Sequence, residues 1–481
     1  MSSKSEAAAM RELRQRRRQA AREKWCQRFK KWSWFAVLAE AFLLALWPPG
    51  ATIALLLGVV FTLLRFRTDK EFKYRHFPFD VPVCLFILIS GASVLGSPDR
   101  GFSFYNWYNL VGVYALTYFL VGQQVREVKQ FKQLLMALGT SALVVILYGF
   151  YQYIFGIDIS AMKWVDGDAF PELRKRVFST WENPNILAGY LDIVICLAFG
   201  LFVKADSKPK RIVLGTFILA AAACLAMTYA RGALLVIVAI FILYGMVKDW
   251  RVLAACVVVG GVLLLADPVL YERLASVFTK VDTSSEMRLA FWESSIAMIQ
   301  DHPFLGIGWG AYWMVYPEYD FYLQGADIRI VHAHNLYLNY AVEIGIPGAI
   351  AFLWYLFGTM IMALRQKFQP PAPEPLEETP FDYNEEAAAD VELQKVAESV
   401  KQETAEPVIP FWQDFAGWLD YRLLAGLSLG VGLAILSVAL NGFTDDLLFN
   451  IPSSMFLWML AALAATVAAV NAGDEDISEE E

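Results

Sequence analysis

Charge is scarce in this chain. Of 481 residues only 18% are Asp, Glu, Lys or Arg, and 57% are hydrophobic, whereas a soluble domain averages about 25% charged residues. That balance excludes an ordinary water-soluble globule. Cysteine is sparse as well. Four of the five (Cys84, Cys196, Cys224, Cys256) lie inside apolar runs, without CxxC or paired spacing, so neither a disulfide framework nor a zinc site is indicated. Long-period repeats are missing. Gly306-Ile307-Gly308-Trp309-Gly310 lacks the GxGxxG spacing and follows a helical stretch, which excludes a nucleotide cradle. No nucleic-acid partner is expected.

What the chain does have is long apolar runs. Runs of roughly 17–25 residues read as membrane-crossing helices, because only closed hydrogen bonding survives in hydrocarbon. They fall at about 33–47, 50–66, 80–96, 107–122, 131–156, 184–204, 211–229, 232–247, 251–266, 335–363, 422–444 and 450–471. The fold class is therefore an all-α integral membrane protein of about twelve transmembrane helices. Pro48-Pro49-Gly50 makes the first two a tight hairpin. The first thirty residues are too basic and long for a cleavable signal, so the first span reads as a retained anchor.

Basic loops stay in the cytoplasm. The leader from Arg11 to Lys31, the loops 65–73, 126–132, 204–211 and 248–251, and Arg365-Gln366-Lys367 all fall on one side without adjustment. The organisation is then a basic cytoplasmic N-terminus (1–32), spans 1–9 (33–266), an extracytoplasmic loop (267–334) and span 10 (335–363). An acidic cytoplasmic loop (364–421), spans 11–12 (422–471) and an acidic tail (472–481) complete it. Both ends lie inside. Residues 371–407, rich in Pro, Glu and Ala, read as disordered or as one loose charged helix, a tether or a binding segment for a cytosolic partner.

The large outer loop is partly helical. Ser284 or Ser285 caps a helix from about Glu286 to Gln300. Its apolar face (Met287, Ala290, Phe291, Ser294, Met298) suits a helix lying along the membrane surface. Gly306, Gly308 and Gly310 read as a flexible turn.

Four outward segments carry the notable polar chemistry: 175–178, 228–232, 286–288 and 332–335. His334 at the start of a long apolar helix could take a proton from a sugar hydroxyl, or merely cap and anchor that helix. Arg231, Arg176 and Arg288 suit phosphate oxygens through arginine's planar fork. Snorkelling to lipid headgroups is the alternative, and Arg288 could instead stack on Trp292. His332 and His334 share a face if extended, but no third metal ligand stands out, so no metal is expected. The Asp166-Gly167-Asp168 triplet is a weak metal motif. Aromatics from Trp309 to Tyr322 could stack sugars or form an interfacial belt. Asp445-Asp446 could bind a cation or position a hydroxyl, with solvation the default.

Together these residues resemble the O-antigen ligase / Wzy polymerase superfamily of bacterial membrane glycosyltransferases. The resemblance rests on Arg288-Leu289-Ala290-Phe291-Trp292, His302-Pro303-Phe304-Leu305-Gly306-Ile307-Gly308, and His334-Asn335 with Gly345 and Gly348. It covers roughly 285–350. The basic leader and the acidic 371–407 insertion depart from the pattern. The resemblance implies a GT-C-like bundle in the bacterial inner membrane with an extracytoplasmic active site, serving lipopolysaccharide or other cell-envelope polysaccharide synthesis. A glycan would pass from an undecaprenyl diphosphate carrier to a hydroxyl of a glycan, lipid or protein, inverting the anomeric centre without cofactor or metal. His334 would be the general base, with Arg288 catalytic and diphosphate-binding, and Arg231 and Arg176 further diphosphate ligands. A Wzy-type polymerase is the near alternative. A lipid or polysaccharide transporter and a non-catalytic scaffold are the alternatives from other classes.

Overall fold

A computed structural model of the chain describes residues 3–156, 176–279, 283–322, 330–370 and 419–473. Asp166–Asp168, Arg174, Lys175, the 371–407 stretch and residues 474–481 lie outside the described residues. Every regular element among the described residues is helical. The chain runs through α1 (Ser3–Leu43), α2 (Pro48–Thr68), α3 (Asp80–Ala92), α4 (Arg100–Trp107), α5 (Ala115–Gln124) and α6 (Val128–Phe155). It continues through α7 (Pro184–Lys204), α8 (Lys208–Ala226), α9 (Arg231–Val247), α10 (Trp250–Ala266), α11 (Pro268–Thr279) and α12 (Thr283–Asp301). The short α13 (Tyr312–Val315) precedes α14 (Leu336–Arg365), α15 (Asp420–Asn441) and α16 (Ile451–Asn471).

Seven of these, namely α2, α6, α7, α8, α14, α15 and α16, are long and apolar enough to cross a membrane. Shorter apolar helices occupy Asp80–Gly96, Arg231–Val247 and Trp250–Ala266. The two remaining runs of the twelve behave differently. The run at 33–47 is the end of α1, which has no Gly or Pro to stop it before Pro48 and so continues the basic leader as one helix. The run at 107–122 is interrupted by a π-helical turn at Tyr108–Gly112 and resumes as α5 at Ala115.

Helix α7 is the axis of the bundle. It packs most closely on α15, where a Cβ at Gly200 would sit 2.3 Å from the Gly430 nitrogen. Small residues let two membrane helices approach to backbone contact where dispersion and not water drives association. The basic loops gather at one end. Lys210 pairs with Asp206 at 2.6 Å, Lys132 with Asp420 at 3.1 Å, and Arg22 donates to the Thr68 carbonyl at 2.7 Å. The four candidate segments lie at the opposite end.

Two expectations about the outer loop change. The apolar face of α12 does not lie on a membrane surface; Phe291 and Met298 are buried against Ile307, Tyr312, Tyr316, Ala333 and Val342. Apolar side chains from 307–316 reach that face first and dry it. Nor is the glycine run a flexible turn. Gly306 has φ 68°, and a Cβ there would meet the Val342 carbonyl oxygen at 2.5 Å. The Ile307 and Gly308 N–H groups donate to the Val342 and Glu343 carbonyls at 2.9 and 3.0 Å. The loop is a clamp on α14.

The clamp has a reason. Inside α14, Gly345 takes φ 71° and ψ 170° and breaks the helix, a region essentially restricted to glycine. Pro303 completes the junction by accepting from the Ile346 N–H at 2.8 Å. An added Cβ at Gly345 would meet the Phe304 oxygen at 2.3 Å. We expect Gly345→Ala to cost about 2–4 kcal/mol, combining strained backbone with a clash. Thermal unfolding in detergent checks this; an unchanged midpoint would remove the clamp from the account.

Candidate active site

Three loops and one helical hairpin turn build the site. The turn between α15 and α16 brings Asp445, whose Oδ1 lies 3.1 Å from His334 Nδ1. Asp445 Oδ2 receives Asn185 Nδ2 at 3.4 Å, and Asn185 Oδ1 receives Arg176 Nη2 at 2.7 Å. Arg176 Nε donates to the Thr228 carbonyl at 2.7 Å, and Val177 N–H to the Met227 carbonyl at 3.1 Å. Asn335 caps α14 through Leu338 N–H, while Leu336 N–H donates to the Gly442 carbonyl at 2.8 Å. Segments 176–178, 228–232 and 332–335 therefore meet at one turn.

The fourth segment arrives through packing. The Phe291 ring stacks on His334 with centroids 5.9 Å apart, and Phe291 stands three residues after Arg288, on the same helical face. Arg288 is close enough for its charge to act on both Asp445 and His332. Arg231 opens α9, the only one of α7, α9, α14 and α16 whose start has no side-chain cap. A Cβ at Gly232 would lie 3.0 Å from Thr444 Oγ1, so the α9 start abuts the same turn.

Backbone strain concentrates here. Among the described residues, the non-glycine positions with positive φ are Ser179, Glu182, Tyr229 and His334, all in the converging loops. Such conformations cost about 1–3 kcal/mol each and persist where surroundings over-determine them, commonly at functional sites. His334 thus sits one residue before the cap of α14, held in place and not itself capping.

Asp445 and Asp446 are not solvated. Burial by itself would raise the Asp445 carboxyl. The His334 hydrogen bond, then the fields of His332, His334 and Arg288, hold it down at about 2. An ionised Asp445 only accepts, so the proton in this hydrogen bond sits on His334 Nδ1, which turns Nε2 away from the carboxylate. The His334 side chain remains 35% exposed, within reach of a reactant. His332 is lowered to about 4, chiefly by burial, and its Nδ1 accepts the His334 backbone N–H at 3.2 Å. Burial raises Asp446 to about 7, aided by the neighbouring Asp445 charge.

The fold also supplies what the His332/His334 pair lacked in sequence. Asp445 brings a third potential metal ligand, with the ligand atoms of the three residues within 4.8 Å of one another. His332 Nδ1 and Asp445 Oδ1 are, however, already engaged by backbone N–H groups of His334 and Asp446.

Sequence reasoning named His334, Arg176, Arg231 and Arg288, left Asp445 as solvated by default, and did not single out Asn185. Asn185 follows Arg176 by nine residues, and nothing in the sequence ties it to residue 445. No curated protein matches the chain. A family model described as O-antigen ligase matches residues 215–353, from α8 through most of α14, and takes in Arg231, Arg288, His334 and Gly345. Over that stretch the chain, whose described residues form an all-helical membrane protein, is similar to the O-antigen ligase family.

Proposed function

We propose that this site moves a glycan from an undecaprenyl diphosphate carrier to an acceptor hydroxyl at the outer face of the bacterial inner membrane. The observation that carries the reading is Asp445 hydrogen-bonded to an accessible His334 at a junction where the segments bearing Arg176, Arg231 and Arg288 meet. His334 Nε2 accepts the proton of the attacking hydroxyl. The acceptor oxygen bonds to the anomeric carbon as the bond from that carbon to the diphosphate oxygen breaks. Attack from the far side inverts the centre. Arg288 and Arg231 stabilise charge on the departing diphosphate, and the uncapped start of α9 adds positive dipole there. Arg176 contributes while tying the loops together. The diphosphate is already an activated leaving group, so the reaction runs without metal.

A second reading, transport, is favoured by one feature. Asp192, fully buried within α7, bonds Asn441 at 2.9 Å and leaves Oδ1 without a partner among the described residues. Buried ionisable groups inside membrane helices often mark ion or substrate pathways.

The test is protein in nanodiscs given an undecaprenyl diphosphate oligosaccharide, candidate acceptors and chelator, with products followed by mass spectrometry. Transfer should persist with chelator and fall by about 10²–10⁴ in His334→Ala. Single transfer marks a ligase and a ladder marks a polymerase. Near-normal turnover in the variant would remove His334 as base. Loss on chelation would turn the His332–His334–Asp445 group into a metal site. Movement of carrier across vesicles without bond cleavage would favour transport.

A further inference from the structure

Beyond His332, away from the arginine-bearing loops, lies a cavity of about 200 Å³ between α4, α14 and the turn carrying Asp446. Its chemistry differs sharply from that of the arginine side. None of the described residues lining it is Lys or Arg, while Glu343 and Asp446 supply carboxyl groups and Asn106 and Asn339 supply amides. Trp309 lines it and is 4% exposed, yet its indole N–H has no hydrogen-bond partner among the described residues. A buried donor without a partner is costly, and a polar group that reaches it would satisfy it. Trp313 lines the cavity beside Trp309 and is only partly buried.

The walls are braced. Trp309 packs edge-on against Tyr340 at 5.4 Å, and Trp313 against Phe102 at 5.9 Å. Asn339 donates to Asp446 at 2.9 Å and its oxygen accepts the Ala333 N–H at 3.2 Å. The cavity wall and the His332–His334 loop are therefore one bonded unit. Neighbouring aspartates divide the labour, Asp445 facing His334 and Asp446 facing the cavity.

Carboxyl groups, amides and an indole donor around aromatic faces recognise hydroxyls and the apolar face of a pyranose ring, and without a Lys or Arg they offer phosphate no counter-charge. We propose that this cavity is a subsite for an uncharged sugar ring, placed so that a saccharide held there presents its next atoms to His334. The inference rests on the glycosyl-transfer reading for its role, though not for its binding. Either the acceptor or the donor glycan could supply such a ring, and the chemistry recognised is the same.

Saturation-transfer NMR on the full chain in nanodiscs tests it, with neutral glucose and N-acetylglucosamine disaccharides and glucose 1-phosphate as probes. Neutral disaccharides should bind, glucose 1-phosphate at least about tenfold more weakly. Binding should weaken about fivefold or more in Trp309→Phe, which keeps a ring and removes one hydrogen bond. It should be lost in Trp313→Ala and persist in His334→Ala. Thermal unfolding confirms that each variant folds. Absent binding, unchanged binding in both tryptophan variants, or preference for the phosphosugar would each overturn the proposal. Because the readout needs no turnover, failure of the transferase reading leaves it standing or falling alone. If transfer is observed, a raised acceptor KM in Trp313→Ala assigns the ring to the acceptor, and a raised donor KM assigns it to the donor glycan.

Discussion

Asp445→Asn is expected to lower glycan transfer by about 10²–10⁴ while leaving the protein folded and the carrier bound. The substitution keeps shape but removes the charge that His334 Nδ1 faces at 3.1 Å. An amide there can present N–H to the ring as readily as oxygen, so the imidazole loses the partner that fixes its tautomer. It also loses the charge that stabilises the imidazolium formed during proton transfer. Initial rates at saturating donor, with an unfolding midpoint for each protein, make the measurement. A rate within about fivefold of wild type would mean that the pair is structural only.

Arg288→Ala should cost about 10²–10³ in kcat/KM for the carrier, the usual loss when one preorganised charge stabiliser is removed. Arg288→Lys should recover only part of it, since an ammonium cannot grip two phosphate oxygens in one plane. Helix α12 holds its place through buried Phe291 and Met298, so truncating the partly exposed Arg288 leaves that packing intact. Unaltered kcat/KM in both variants would shift the diphosphate to other groups. Arg176 is a poorer choice for this experiment. Its guanidinium already holds Thr228 and Asn185, so its removal loosens loops as well as charge.

The sequence made the arginines and His334 legible because ionisable groups stand out in an apolar chain and positive charge is disfavoured on the outer side. It hid Asp445 for the opposite reason. Two acids in a short turn after an apolar run look solvated, and only convergence of α7, α14 and the 176–183 loop buries them. Span boundaries followed hydropathy well in α7, α15 and α16, where the pattern is uninterrupted. Hydropathy failed between 107 and 122, because a π turn leaves composition unchanged. It also missed the break in α14. Gly345-Ile346-Pro347-Gly348 was visible as a motif, but its break depends on Pro303–Gly308 backbone groups that sequence spacing cannot bring to it.

The turn that carries Asp445 follows every other site segment in chain order. All three arginines and His334 precede it in synthesis, and until the turn docks they lack the carboxylate that orients the histidine. Insertion of the α15–α16 hairpin also delivers the carbonyls of Gly442 and Phe443 that hold the start of α14. The site is thus completed by a single late step of membrane integration. Until that hairpin docks, His334 has no carboxylate partner and the start of α14 lacks two of its backbone acceptors.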